Sequence, residues 1–381
     1  MKKILIVAGE PSADRHAAAL VKAVHSKVPD VEFIGIGGPM MKQEGVRIIF
    51  DANKIAVVGI SEVVRHLGMI KDAFNRVIRT STDEKVLLAV LIDFPDFNLR
   101  LAKKLDNLGI PLVYYISPQI WAWRKGRINK IKRYFKKVLV IFKFEESLYR
   151  AAGIDVKFVG HPLTNHVNRT AAPEEIRKKY NIPGNAKVIA MLPGSRSSEI
   201  KRHLGIMIMA VELLKPSNSD IYPIIPVLST HAEFVQNILK EYRFDAKVIV
   251  DDTYNAVGIS YFAIVASGTA TLETALLDVP MVIIYKVSFF SHMVAKLLLS
   301  ITRIGIVNII TDEDIVPELV QSDLKPKKLA NLVGKYLKNE EAYNKMKHDY
   351  LKLKSILGDS EASHAAAEEI INIIALIKEV Q

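Results

Sequence analysis

The sequence predicts an α/β protein: two doubly wound, Rossmann-like domains facing across a cleft, followed by C-terminal helices. Three observations predict it. Short apolar runs alternate with longer stretches of helical periodicity, the pattern of βαβ units around a parallel sheet. The runs form two series separated by a polar, proline-bearing stretch. The chain has 381 residues, 50% hydrophobic and 24% charged, enough for two cores and too apolar for a disordered chain.

The first series of predicted strands covers residues 4–8, 32–36, 87–92, 112–116, 138–142 and 156–159. Each is followed by a turn or a stretch of helical pattern. "GIGGPM", residues 35–40, carries glycines but no long helix after it and is predicted to be a turn. The stretch "HVNRTAAPEEIRKKYNIPGN", 166–185, links the two series. Pro173, Pro183 and Gly184 punctuate it, and 174–180 predicts one short helix. The second series covers 188–192, 221–228, 247–250, 263–265 and 281–285, and beyond Lys325 only helical patterns remain. The expected division is 1–167, 168–345 and a helical tail, 346–381, that crosses back to the first domain.

There is no cysteine, which excludes disulfides, thiolate metal sites and a cysteine nucleophile and fits a reducing compartment. The apolar run after Lys3 is too short for a signal peptide. The most apolar region, 287–310, is interrupted by Lys296 and Arg303, so no membrane span is expected and the protein reads as cytoplasmic. A net charge of +11 points to nucleic acid, an anionic membrane or phosphorylated substrates. Part of that charge is concentrated: residues 124–137 hold eight Lys or Arg and no acid, with Ile128, Ile131, Phe135 and Val138 at helical spacing. A basic amphipathic helix with aromatics at its start suits a membrane surface; a merely solvated basic face is the alternative. No RNP, KH or zinc-knuckle pattern supports nucleic acid. No HExxH motif and no acidic pair with an evident metal geometry occurs, so neither metal nor cofactor is expected. An apolar stripe, Phe289, Phe290, Met293, Leu297, Leu298 and Ile301, and a similar stretch at 56–70 read either as core helix or as lipid-facing surface.

Ligands of such sheets bind at the carboxyl ends of the strands, so the residues just after each strand carry the functional reading. "VASGTATLE", 265–273, is a strand, a small-residue turn and a helix start. Free N–H groups at Ser267, Gly268 and Thr269 suit a diphosphate, and Glu273 suits two ribose hydroxyls. The alternative is a capped helix with a solvated glutamate. In "LPGSR", 192–196, Gly194 and Ser195 lead to Arg196, whose guanidinium suits phosphate; the alternative is an ordinary surface turn. After the first strand, "VAGEPSADRH" offers Glu10, Ser12 and Asp14, in neither a dinucleotide nor a Walker pattern. In "LIDFPDFNLR", 91–100, Asp93 ends a strand and is a general-base candidate, or else a loop-bonding aspartate. Asp96 reads as the N-cap of the following helix. His161 reads as structural.

In this order, "GEPSAD", "DFPDFN", "SPQIWAWR", "FVGHPL", "LPGSR" and "ASGTATLE" resemble the motifs of the lipid-A-disaccharide synthase family over nearly the whole chain. The resemblance implies a GT-B fold and an inverting, metal-independent transfer. The implied donor is UDP-2,3-diacylglucosamine, and the implied acceptor is 2,3-diacylglucosamine 1-phosphate. The implied products are the β(1→6)-linked lipid A disaccharide 1-phosphate and UDP. It also implies peripheral contact with the cytoplasmic face of an anionic inner membrane, no nucleic acid and, often, a homodimer. Carried over residue by residue, it makes Asp93 and Glu10 catalytic and gives UDP to Gly194, Ser195, Arg196, Ser267, Gly268, Thr269 and Glu273. Ser12, Asp14, Asn98, Trp123 and Arg124 go to the acceptor or the loops around it. The chain departs from the family at Ala13, where GE-x-SGD has glycine; a helical turn there would accept alanine. Two competing readings are another GT-B enzyme acting on UDP-N-acetylglucosamine and a basic lipid-binding protein with a retired nucleotide site.

Overall fold

A strand covered on both faces reads as an unbroken apolar run, and the chain opens on one: Ile4, Leu5, Ile6 and Val7 are all fully buried. The computed structural model describes residues 2–52, 63–118, 120, 126–286, 303–358 and 361–380. They form two compact units, one of residues 1–162 with 357–381 and one of residues 163–356.

The first unit runs β1 (Lys2–Ala8), α1 (Pro11–Lys27), β2 (Val31–Gly37), α2 (Pro39–Gln43), β3 (Arg47–Asp51), α3 (Val63–Asp83), β4 (Leu88–Ile92), α4 (Pro95–Asn107), β5 (Leu112–Tyr115), α5 (Arg127–Tyr134), β6 (Lys137–Val140), α6 (Lys143–Ala151) and β7 (Val156–Phe158). Its strands form one parallel sheet in the order β3-β2-β1-β4-β5-β6-β7. The pleat sends alternate residues to opposite faces. Ile4, Ile6, Leu88 and Val90 meet α1, whereas Leu5, Val7, Ala89 and Leu91 meet α3 and α4.

The second unit runs α7 (Pro173–Tyr180), β8 (Lys187–Leu192), α8 (Ser197–Leu214), β9 (Ile221–Val227), α9 (Ser229–Tyr242), β10 (Lys247–Val250), α10 (Thr253–Gly258), β11 (Phe262–Ala266), α11 (Thr269–Leu276), β12 (Met281–Tyr285), α12 (Ile306–Thr311), β13 (Glu318–Val320), α13 (Pro326–Lys338) and α14 (Glu340–Leu357). Its parallel sheet has the order β10-β9-β8-β11-β12-β13. The last helix, α15 (Ala362–Val380), belongs to the first unit, where Ile370, Ile373 and Ile374 are buried in the α1 cluster.

Three expectations need correction. β3 and β13 were not foreseen: both are short edge strands, and β3 is half polar. "GIGGPM" is not a plain turn, because its first glycines finish β2 and Pro39 opens α2. The basic helix does not reach Val138. It ends at Tyr134, and from Lys137 the chain pairs with β5 and β7 as a central strand, so sheet pairing overrides the helical spacing.

Candidate active site

In each sheet the strand order reverses at one point, and ligand crevices form there. In the first unit the point lies between β1 and β4. Their register sets Ala8 beside Ile92, so the turns at Gly9–Glu10 and Asp93–Phe94 leave neighbouring strands at the same level. α1 and α4 then pack on opposite faces of the sheet.

The turn after β4 is strained and tightly held. Asp93 and Phe94 both take left-handed backbone angles, φ 47° and 44°, rare for side chains of this size. The Asp93 N–H donates to the Tyr115 carbonyl at 3.2 Å. The Asp93 carbonyl accepts from Asn98 Nδ2 at 2.7 Å and Tyr114 Oη at 3.0 Å. Phe94 lies over Gly9, where a Cβ would come within 2.3 Å of the ring, so this close approach needs glycine. Burial first, and then the charge of Glu10, push the Asp93 carboxyl up to about 6. Glu10 is exposed at the N-cap position of α1 and its side chain makes no cap bond. Asp93 and Glu10, named from sequence, thus come together.

The other residues named in this unit are placed as follows. Ser12 is exposed on the first turn of α1. Asp14 is buried and accepts from the N–H groups of Gly38, Met40 and Met41 at 2.7, 3.0 and 3.2 Å, which caps α2. Ala13 sits in α1 and is buried, as a helical turn allows. Asn98 is buried, and its amide donates to Ile92 as well as Asp93. Asp96 is not the N-cap. Phe94 holds that position and Pro95 the next, where proline is favoured. The Asp96 carboxylate instead accepts from Arg127 at 2.5 Å. His161 is buried and pushed down to about 3 by burial and then by the charge of His16, so it stays neutral. Trp123, Arg124, the apolar stripe 289–301 and the start of the 56–70 stretch lie outside the described residues.

In the second unit the reversal lies between β8 and β11, with Leu192 beside Val265. The two turns singled out in the sequence, 193–196 and 267–269, therefore sit on adjacent strand ends. Gly194 adopts φ 125° and opens the first turn. Glu199, in the first turn of α8, accepts from the N–H groups of Ser195 and Arg196 at 3.0 and 3.3 Å and pairs with Arg196 Nη1 at 3.3 Å. The Glu199 carboxylate thus takes up the N–H groups of this turn as part of the capping box of α8. The Arg196 side chain is 78% exposed. Gly268 caps α11, and Thr269 begins it. The Ser267 hydroxyl donates to the Ile304 carbonyl at 3.0 Å, and its N–H, expected to be free, donates to the Ile284 carbonyl at 2.9 Å because sheet pairing carries on one residue past β11. Glu273, half-buried one turn on, accepts from Tyr254 Oη at 2.9 Å.

Sequence reasoning missed His203. It is buried on α8, with Nδ1 2.8 Å from the Pro193 carbonyl and Nε2 accepting the Lys286 N–H at 3.1 Å. Burial pushes it down, and the neutral tautomer with its proton on Nδ1 makes both bonds. It ties the Gly194 turn to the end of β12. Its only sequence signal is a histidine at an otherwise apolar helix position.

A family model described as lipid-A-disaccharide synthetase matches residues 4–374. The chain belongs to the lipid-A-disaccharide synthase family. The lipid-A-disaccharide synthase of Syntrophus aciditrophicus is 39% identical over 98% of both chains. That of Nitrosococcus oceani is 38% identical over 93% of this chain and 92% of its own. Among solved structures, a UDP-GlcNAc 2-epimerase from Neisseria meningitidis bound to UDP-GlcNAc superposes with a TM-score of 0.66 at 11% identity, covering 97% of this chain and all of that one. MurG of Acinetobacter baumannii superposes with a TM-score of 0.56 at 15% identity over both full chains. These likenesses give the fold, which is GT-B. As a member of the lipid-A-disaccharide synthase family, the chain is a glycosyltransferase.

Proposed function

We propose that the chain transfers 2,3-diacylglucosamine from UDP-2,3-diacylglucosamine to 2,3-diacylglucosamine 1-phosphate, forming the β(1→6) disaccharide 1-phosphate of lipid A and UDP. The observation that carries the chemistry is the Asp93 carboxyl, half-buried at a strand end and pushed up to about 6. An attacking hydroxyl must lose a proton, and a base with that affinity is ionised at neutral pH yet still basic enough to accept it. The acceptor oxygen bonds the anomeric carbon as its proton passes to Asp93. The bond to the diphosphate breaks on the opposite face, which inverts the anomer. Burial, and after it the charge of Glu10, keep the proton affinity of Asp93 high.

The second unit would hold the donor and the first the acceptor. N–H groups at 268–269 and the Arg196 guanidinium would meet the charge of the departing diphosphate without a metal, and Glu273 would hold the ribose. In this reading Asp14 shapes the acceptor side through α2. Among the described residues no helix is long and apolar enough to cross a membrane. Exposed Lys130, Lys132, Arg133 and Lys136 on or just after α5 would meet anionic headgroups on the cytoplasmic face of the inner membrane, and a homodimer is compatible with this. A donor comparison tests the reading. UDP release should require the acylated donor, and equal or faster turnover of UDP-N-acetylglucosamine would assign the chain to a different substrate.

A further inference from the structure

We infer that Tyr114 and Asn98 are positioning residues for the transfer: together they clamp the Asp93 carbonyl and so hold the left-handed turn that aims its carboxyl. The inference rests on the reading of Asp93 as the base.

The turn does not hold itself. Two consecutive residues with side chains sit at φ 47° and 44°, and such backbone persists where surroundings over-determine it. The surroundings here are two hydrogen bonds to one carbonyl, from different elements. Tyr114 comes from the neighbouring strand β5 at 3.0 Å, and Asn98 from the first turn of α4 at 2.7 Å. Both are polar groups placed in an apolar core. Tyr114 is fully buried and stacks on Phe135 at 4.7 Å, where a phenylalanine would pack equally well, so its hydroxyl is explained by the bond to Asp93. Burial keeps that hydroxyl protonated and therefore a donor. Asn98 is also fully buried. Its amide nitrogen goes to Ile92 and Asp93, while its Oδ1 is buried with no hydrogen-bond partner among the described residues. A core position that tolerates an unsatisfied oxygen is retaining asparagine for its donor. Both bonds end on the backbone of Asp93, so the two residues act through it.

Tyr114→Phe removes only the hydroxyl and keeps the packing. Its kcat should fall about tenfold or more, as loss of reacting geometry does, while KM for both substrates and UDP affinity stay within about twofold. The acid limb of the kcat profile should move to lower pH, because a relaxed turn admits water to Asp93; Glu10 is the charged group that faces it. Asn98→Ser, too short to reach the carbonyl, should do the same and serves if Tyr114→Phe does not fold. Wild-type kcat and an unmoved acid limb in a folded clamp variant, beside an inactive Asp93→Asn, overturn the clamp alone. Wild-type turnover by Asp93→Asn overturns the base assignment and the clamp with it.

Discussion

Asp93 costs the protein stability at the pH where it would work. Its folded value, about 6, lies above the ordinary 3.8, so between those values the folded chain binds more protons than the unfolded one. Stability from this group is therefore full below about pH 4, falls as pH rises through about 6 and stays lower above. The loss is on the order of 3 kcal/mol at most. Asp93→Asn removes the half-buried charge and tolerates the left-handed backbone better. It should raise the melting temperature at pH 8, abolish turnover and leave UDP affinity unchanged; calorimetry with and without UDP checks all but the turnover. If Asp96→Asn, not Asp93→Asn, is the inactive variant, the wrong carboxylate was chosen. In the second unit, Arg196→Ala and Glu273→Ala would each remove a charged hydrogen bond proposed to reach the donor, worth roughly 1.5–3 kcal/mol. Each should weaken UDP binding about tenfold or more by titration calorimetry, and wild-type affinity in both would reject the second unit as the donor unit. The places of Asp93 and Arg196 just after strands, and of Glu273 one turn into the next helix, were legible in the sequence because strand ends are legible. Tyr114 and His203 were not, because each acts on a backbone group distant in sequence that only the sheet brings near.

At the scale of elements, α5 divides its charges. Arg127 is buried against Asp96, and Lys137, at the start of β6, is held by Asp155 and Glu369 at 3.4 and 2.7 Å. Lys130, Lys132, Arg133 and Lys136 are exposed. Replacing these four with glutamate should cut binding to anionic vesicles, since each contributes about 1 kcal/mol near such a surface. Turnover of detergent-dispersed substrates should remain nearly intact. A variant that sediments with vesicles like wild type would make this a solvated face. The basic stretch was legible as one amphipathic helix, but its inner end was not. Val138 fits the helical spacing and the strand alike, and pairing between β5 and β7 decides it. β3 and β13 escaped for the opposite reason: edge strands solvated on one side lack the unbroken apolar run that marked their neighbours.

At the scale of the molecule, the chain's end completes its beginning. α15 packs on α1, with Ala366, Ile370 and Ile374 buried against a cluster that includes Ala17, Leu20 and Val24, and Lys27 pairs with Glu368 at 2.6 Å. Ile370→Ala should cost about 2–5 kcal/mol and lower the urea midpoint of the first unit; an unchanged midpoint would show that α15 is dispensable to that core. The alternation of strand and helix made both sheets legible, since a parallel sheet covered on both faces admits few other patterns. Glycosyl transfer with Asp93 as base is open to direct measurement. Its most direct test mixes purified protein with UDP-2,3-diacylglucosamine and 2,3-diacylglucosamine 1-phosphate and follows the acyl sugars by mass and anomeric coupling, with Asp93→Asn alongside. Transfer with Asp93 as base gives a β(1→6) disaccharide 1-phosphate and one UDP per product from the wild type, and no disaccharide from an Asp93→Asn variant that still binds UDP. No disaccharide from the wild type, or an equal yield from both proteins, would contradict it.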